Sequence, residues 1–238
     1  MTLFSSVGNY EGSYWEGNYA PSALGSPLTC PANGQVDHYV QPFGGILNNT
    51  LTLSAQLNAP IAMEWSDPWN QNASNFDLYI LDHNFNLLAC VPGAGSNLNV
   101  NIVPNPALPA GTYHLAVGTP TQQFAGKQLK LIVLGDGASS LSATTTGSVI
   151  SPQKYVAGVV TIGAVDGGDG IGATLEPYSS TGPVTLAIPL SRCRRPYSLR
   201  RITFTSMSPA PPLPARHRTA CSAALQPRLR MRQQSRLC

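Results

Sequence analysis

The sequence predicts a mainly β protein, in which an antiparallel β-sandwich is inserted into a piece of α/β parallel sheet and a disordered tail follows. The 238 residues include 22 Gly and 21 Pro, which favours short strands joined by turns over long helices. Apolar and polar residues alternate repeatedly within 30–138, as in the half-buried strands of a sandwich. A compact β-branched run at 158–165 fits instead a strand that is buried on both faces of a parallel sheet.

Residues 30–138 form the predicted sandwich. Its alternation is clearest at 51–57, where every second residue is apolar. The run at 87–91 is predicted to pair as a hairpin with the run at 76–81, because the turn sequence Asp-His-Asn separates them. The other predicted strands, which bring the total to about seven, are 61–65, 100–103, 112–117 and 129–134.

A short segment, 1–29, precedes the sandwich. It begins with an apolar strand at 3–7 that stops at a Gly-Asn pair, and an aromatic, Gly-rich loop is predicted at 10–19. Because the first residues read as the middle of a buried strand, we expect the true N-terminus to lie upstream. No signal-peptide pattern is visible in the chain.

A second segment, 139–190, follows the sandwich. It opens with a small polar linker and contains the β-branched strand at 158–165 and a Gly-rich loop with two aspartates, Asp166 and Asp169. Paired carboxylates of this kind can hold calcium, but a solvated loop is the preferred interpretation.

Charge divides the chain near residue 190. Residues 1–190 hold all 11 acids and three lysines (3 − 11 = −8), whereas 191–238 holds 11 arginines with no lysine and no acid. Basic arms that bind nucleic acid usually mix Lys with Arg. A GC-rich gene that is read in the wrong frame also yields a segment rich in Arg, Pro, Ala and Ser with no Lys and no acid. We therefore predict a frameshifted, unstructured tail and no nucleic-acid partner, with a real nucleic-acid-binding arm as the alternative.

Cysteine usage and hydropathy limit the classes of site. Three of the five cysteines lie in 191–238, which leaves Cys30 and Cys90, and no C-x-x-C motif occurs. Whether these two pair is left open, because a disulfide requires an oxidising compartment. No run reaches the roughly 18 apolar residues of a membrane helix, so no membrane partner is predicted.

The segment 151–183 carries the most specific motif, SPQKYVAGVVTIGAVDG followed by LEPYSSTGP. It resembles the stretch of subtilisin-like serine proteases (subtilases) that runs from a lysine–tyrosine turn into a core strand of the type V-x-x-V-G-A-V-D and on to a loop reading S-S-x-G-P. The match lies at 160–166 and 179–183. Upstream, FSSVGN resembles the strand that ends at the family's oxyanion-hole asparagine, which is Asn9 here. The resemblance implies that both strands belong to one parallel sheet, so we expect 3–7 and 159–165 to lie side by side.

A β-module of roughly 110 residues lies between these two motif segments, although they are close in sequence in subtilisin itself. Some extracellular subtilases carry such an insertion. The pieces WSDPW, FDLYILD and PAGTYHLAVG look like the pre-peptidase-type β-sandwich of secreted proteases. The resemblance implies an extracellular parent that cleaves polypeptide substrates. We predict no cofactor, although calcium occurs in the parent family.

Peptide hydrolysis in this family requires a serine nucleophile, a histidine base and an orienting aspartate. The family's Asp and His motifs precede the asparagine and are missing here. The motif Gly-Thr-Ser-x-Ala-x-Pro-His should follow Pro183, but FTSMSPAPPLPARHR stands there. Ser206 is the candidate nucleophile, although Phe204 replaces the motif's glycine. We therefore expect the chain as it stands to be an inactive part of such an enzyme.

Other side chains offer weaker alternatives. The histidines of the sandwich have no serine or metal partner at a telling spacing and are interpreted as surface or strand-end residues. Trp65, Trp69 and Tyr79 could form a carbohydrate platform, but core and rim positions are the preferred interpretation. The second functional hypothesis is therefore a β-sandwich module that binds a protein or a glycan.

Overall fold

A computed structural model describes residues 3–67, 73–93, 99–135, 138–147, 159–166 and 174–182. The predicted tail at 191–238, with Phe204 and the candidate nucleophile Ser206, lies outside these residues. The described part of the chain is mainly β, and its two larger sheets are antiparallel throughout. The predicted mainly β class is therefore confirmed.

The described residues form thirteen strands and one short 3-10 turn, Glu11–Ser13. In chain order the strands are β1 Leu3–Ser6, β2 Tyr14–Asn18, β3 Ser22–Cys30, β4 Gln35–Val40, β5 Asn49–Leu53, β6 Ile61–Trp65, β7 Asp77–Leu81, β8 Leu87–Val91, β9 Asn99–Ile102, β10 Gly111–Thr119, β11 Gln128–Val133, β12 Ser139–Leu141 and β13 Val159–Ile162.

The first large sheet has seven strands and is organised around β10. One edge of β10 pairs with β5 and then with β4, and its other edge pairs with β7. Beyond these neighbours lie β12 on β5, β3 on β4 and β8 on β7. The long strand β10 therefore fixes the positions of all the others in this sheet.

The second large sheet has the order β2-β11-β6-β9. Alternation along β6 is strict: Ile61, Met63 and Trp65 are buried, whereas Glu64 between them is exposed. The buried residues join those of the first sheet in one continuous apolar core. The two sheets are therefore held together by the period-2 pattern, with one face of each strand turned inward.

The sequence-based strand predictions agree closely with the structure inside the sandwich. Strands at 61–65 and 87–91 have the predicted bounds, and 76–81, 100–103, 112–117 and 129–134 differ from the observed strands by one or two residues. The predicted β7–β8 hairpin is confirmed. The alternating run at 51–57 is a strand only to Leu53, and Leu57 makes an isolated bridge with Leu108.

The sandwich extends beyond the predicted limits of 30–138. Residues predicted as a loop at 10–19 include β2, which pairs with β11, and β3 also begins before residue 30. At the other end β12, from the predicted linker, pairs with β5. The loop prediction at 10–19 failed for a local reason. Tyr14 and Trp15 are adjacent and both buried, so β2 lacks the alternation of buried and exposed residues by which a strand is recognised.

The β3–β4 hairpin, which belongs to the first sheet, also packs against the outer face of β7. Along β7, Leu78 and Ile80 face the main core, whereas Tyr79 and Leu81 belong to a second small cluster with Cys30 and Ala116. All five residues of β7 are consequently buried. Cys30 of β3 and Cys90 of β8 form a disulfide that closes this layer, which answers the question that the sequence left open.

The two outer segments meet in a separate two-stranded sheet. Strands β1 and β13 pair in parallel, with Leu3 opposite Val159 and Ser6 opposite Ile162. The predicted side-by-side arrangement of 3–7 and 159–165 is confirmed, with the pairing running over Leu3–Ser6 and Val159–Ile162. The α/β surroundings predicted for this pair are not supported, because the described residues contain no α-helix to cover it. The apolar side chains of Phe4, Val160 and Ile162 are accordingly exposed.

Candidate functional site

The candidate site lies where β1 ends. Val7 continues the pairing, since its amide N–H donates to the Ile162 carbonyl over 3.0 Å. Gly8 then adopts φ +102°, a conformation that favours glycine, and a Cβ at this position would lie 3.0 Å from the Tyr10 ring. Gly8 therefore turns the chain sharply and presents Asn9 at the carboxyl end of the strand.

The loop 174–182 is bound to the end of β13 beside this turn. The Glu176 amide donates to the Ala164 carbonyl over 2.9 Å, and the buried Ser179 hydroxyl accepts a hydrogen bond from the Ala164 amide over 3.0 Å. Ser179 also donates its own amide to Glu176. The loop is therefore a compact turn that returns along the strand end.

Ser180 joins this loop to the turn after β1. Its amide donates to the Gly8 carbonyl over 2.9 Å, and its hydroxyl accepts the Tyr10 amide over 3.0 Å. Ser180 itself is fully buried, whereas Gly8 and Tyr10 are half-buried. The backbone on each side of Asn9 is thus fixed by one residue that is distant in sequence.

A second contact clamps the junction. Thr181 donates its amide and its hydroxyl to the Glu11 carboxylate, with a shortest distance of 2.8 Å between Oγ1 and Oε2. Sequence reasoning missed Glu11, and no local pattern identifies it, since its partner lies 170 residues away. A charged acceptor makes this contact stronger than a neutral hydrogen bond.

The Asn9 side chain is exposed on this fixed backbone and makes no hydrogen bond to the described residues. Its amide can therefore donate to an oxygen atom of a bound molecule. A donor alone performs no hydrolysis, because a nucleophile and a base are also needed. Ser206, the candidate nucleophile from the sequence, lies outside the described residues.

The histidines of the sandwich do not complete a catalytic group. His114 Nδ1 lies 2.9 Å from Asn48 Oδ1, and His83 Nε2 lies 2.9 Å from the Asn84 amide nitrogen. His38 is exposed on β4. Within the described residues none of the three forms a hydrogen bond to a serine or an aspartate. His38 and His83 are exposed, as interpreted from the sequence, whereas His114 is half-buried within β10.

The described residues do not support the metal-binding and glycan-binding alternatives. Cys30, Cys90 and Asp77 lie together, but the two sulfurs are bonded to each other and are not thiolate ligands. Asp166 is exposed, and Asp169 lies outside the described residues. Trp65 and Tyr79 are fully buried, so these two belong to the core and not to a carbohydrate platform, and Trp69 lies outside the described residues.

One exposed aromatic residue was missed by the sequence analysis. Phe85, in the β7–β8 turn, has φ 65° and stacks on His114 with the ring centroids 4.2 Å apart. An open groove of about 490 Å³ lies between this hairpin and the segment 104–113. A positive φ at a bulky residue is uncommon, but no sequence pattern marks it in advance.

Comparisons with models of known protein families, with curated proteins and with solved structures find no match to this chain. In the described part of the chain, no helix has the length and apolar character needed to cross a membrane.

Proposed function

We propose that this chain carries part of the core of a secreted subtilisin-like serine endopeptidase, with Asn9 as a donor of its oxyanion hole. The observation that carries the proposal is the parallel pairing of β1 with β13, two strands that both bear subtilase-like motifs. About 150 residues of chain separate these strands. Their contact supports a common origin in one parallel sheet.

The geometry around Asn9 supports the proposed role. Active sites of open α/β sheets lie at the carboxyl ends of the strands, and Asn9 follows β1 at that end. An oxyanion donor must be held in place before the reaction, so that its dipole already points toward the developing charge. The hydrogen bonds of Ser180 to Gly8 and Tyr10 supply such a fixed base.

The polypeptide substrate and the extracellular location belong to the same proposal. The disulfide between Cys30 and Cys90 supports secretion, because disulfides persist in oxidising compartments. The chain by itself is proposed to be inactive, since its sequence contains neither the Asp and His motifs nor the intact Ser motif. An oxyanion donor without a nucleophile has no reaction to assist.

The genomic DNA around codons 1–238 provides the first test. The proposal expects Asp and His motifs upstream of codon 1, and the motif Gly-Thr-Ser-x-Ala-x-Pro-His within a few dozen codons after Pro183 in one of the other two frames. Absence of all three motifs from every frame overturns it.

The peptidase activity of the protein encoded by the restored reading frame provides the second test. Asn9→Ala should lower kcat roughly 10²–10³-fold with little change in KM, because the donor acts on the transition state. Asn18→Ala is the control, since Asn18 is also an exposed asparagine but lies at the end of β2. Equal activity of the Asn9 variant and the control contradicts the assigned role.

The alternative is a binding module, favoured by one observation. Phe85 exposes 57% of its surface in the β7–β8 turn, where it stacks on the His114 ring, and Asp82 and His83 of the same turn line the open groove. An exposed aromatic ring next to a groove is a feature of sites for peptides and sugars. Binding of a glycan or a peptide to the chain, lost on Phe85→Ala and kept on Asn9→Ala, would favour this function over the first.

A further inference from the structure

Two carboxylates are buried together under the β3–β4 hairpin. Asp37 of β4 and Asp77 of β7 are both fully inaccessible to solvent. They share one donor, the Gln35 side-chain amide, whose Nε2 lies 2.8 Å from Asp37 Oδ1 and 3.2 Å from Asp77 Oδ2. Two acids within reach of one amide nitrogen are close enough to repel each other when both are ionised.

The remaining partners of the pair are neutral. The Tyr79 hydroxyl donates to Asp37 over 2.8 Å, the Gly93 amide donates to Asp77 over 2.9 Å, and the Asn33 side chain also bonds Asp77. Strands β3 and β8 contribute the uncharged disulfide, and β10 contributes Ala116 and Gly118 at this face. Among the described residues, the pair therefore has hydrogen-bond donors around it but accepts no hydrogen bond from a cation.

The charged groups nearby do not neutralise the pair. His38, on β4, is exposed, and among the causes that act on the pKa of Asp37 its effect, a lowering, is the smallest. Tyr19 remains protonated, because burial, with a smaller effect of the Asp37 charge, raises its pKa to about 12. The two lysines of the described residues bond other acids: Lys127 contacts Asp67 and Lys130 contacts Glu64.

Burial consequently favours the protonated form of both acids. Loss of hydration raises the pKa of the Asp37 carboxyl, and the hydrogen bonds from Tyr79 and Gln35 only partly offset this. Burial, together with the Asp37 charge, raises the pKa of Asp77 to about 6. A pair of this kind holds a proton at mildly acidic pH and loses it near neutrality.

We propose that Asp37 and Asp77 form a proton-dependent clasp, which holds the β3–β4 hairpin against β7 in mild acid and loosens it toward neutral pH. The two residues lie on the two elements that the clasp joins. The hairpin and β7 also meet through the small core of Tyr79, Leu81 and Ala116 and through the disulfide. The disulfide keeps the hairpin attached when the clasp loosens, so the change is local.

The sign follows from the raised pKa values. A carboxyl that holds its proton more tightly in the folded state stabilises the fold below its unfolded pKa of about 4, and the stabilisation disappears as the pH rises through the folded value. For Asp77, with a folded pKa of about 6, the folding equilibrium constant should fall about tenfold between pH 5 and pH 7.5.

The experiment compares urea unfolding of the full chain and of Asp77→Asn at pH 5 and pH 7.5. Asparagine keeps the shape and the acceptor for Gly93 but cannot ionise. Relative to this variant, the wild type should be about tenfold more stable at pH 5 than at pH 7.5. The comparison also cancels His114, whose pKa is lowered by burial and whose contribution has the opposite sign. A pH-independent difference overturns the proposal.

A second measurement reports the hairpin directly. Hydrogen-exchange protection of the β3 and β4 amides should decrease from pH 5 to pH 7.5 in the wild type and in the control Glu64→Gln, whose carboxylate is on β6 and exposed. It should not decrease in Asp77→Asn. If that variant fails to fold, carboxyl NMR titration of the wild type decides. Both acids titrating below pH 4.5 would refute the clasp.

Discussion

The Tyr79 hydroxyl donates a hydrogen bond to Oδ2 of Asp37 over 2.8 Å, where the β3–β4 hairpin packs against β7. Both residues are fully buried. Burial raises the pKa of Tyr79, and the neighbouring Asp37 carboxylate raises it further, so the phenol remains a donor at all ordinary pH values. This bond fixes the distance between β4 and β7, and the packing around it tolerates little added volume.

Gly118→Ala tests that packing. A Cβ at residue 118 would lie 2.5 Å from Asp37 Oδ2 and 2.9 Å from the Tyr79 ring, so the bonded pair must separate to admit it. We expect a loss of about 1–3 kcal/mol in the free energy of unfolding, measured by urea titration. Gly12→Ala is the matched control, because a Cβ there meets nothing within 4 Å. Equal stability of the two variants would contradict the close packing.

The disulfide should contribute to stability mainly by restricting the unfolded chain. Cys30 and Cys90 are 60 residues apart, and replacing both by Ser should cost about 2–4 kcal/mol. The measurement is the urea midpoint with and without a reductant. Reduction should destabilise the wild type and leave the double variant unchanged. An effect of similar size in both proteins would show that another cysteine is responsible.

Asp67 is also a buried acid, but its pKa is lowered, whereas the pKa of Asp77 is raised. Burial alone would raise its pKa, but Lys127, 2.6 Å away, and the Ser74 amide, 2.7 Å away, outweigh this and hold the pKa below its usual value. Lys127→Met should therefore destabilise the fold at pH 7 by about 1–3 kcal/mol, because a buried carboxylate loses its charged donor.

The pH dependence of this effect distinguishes a charge contact from simple packing. A lowered pKa means that the stabilisation is present at neutral pH and is lost as the pH falls below about 4. The penalty of Lys127→Met should accordingly shrink in acid, and Lys127→Arg should restore most of the stability at pH 7. A penalty that persists unchanged at pH 3 would contradict the ion pair. Thermal unfolding across this pH range measures it.

The exposed face of the β1–β13 pair should promote association. Phe4 and Ile162 lie on the same face, since Phe4 pairs with Val160 and Ile162 is two residues further, and they expose 59% and 44% of their surface. Phe4→Ser with Ile162→Thr should reduce aggregation, measured by light scattering during concentration. Phe85→Ser, a change at an equally exposed ring on the sandwich, is the control and should leave aggregation unaltered.

Local pattern made most of the sandwich predictable. Strands such as β6 and β8 alternate or form compact apolar runs between turn residues, and both signals depend only on neighbouring residues. The β1–β13 pairing was also predictable, but only through the resemblance of both strands to one family. The junction at Ser180 was foreseen as a motif, whereas its bond to Gly8 was not.

The sequence by itself determined the mainly β class, the positions of most strands and the two segments that flank the sandwich. Only the tertiary structure decided that the β3–β4 hairpin folds over β7, that Asp37 and Asp77 share one amide, and that Glu11 binds Thr181. The physical reason is the separation along the chain over which each interaction acts. Alternation and turn chemistry act over a few residues, whereas these contacts join groups 40 to 170 residues apart and leave no periodic trace in the chain.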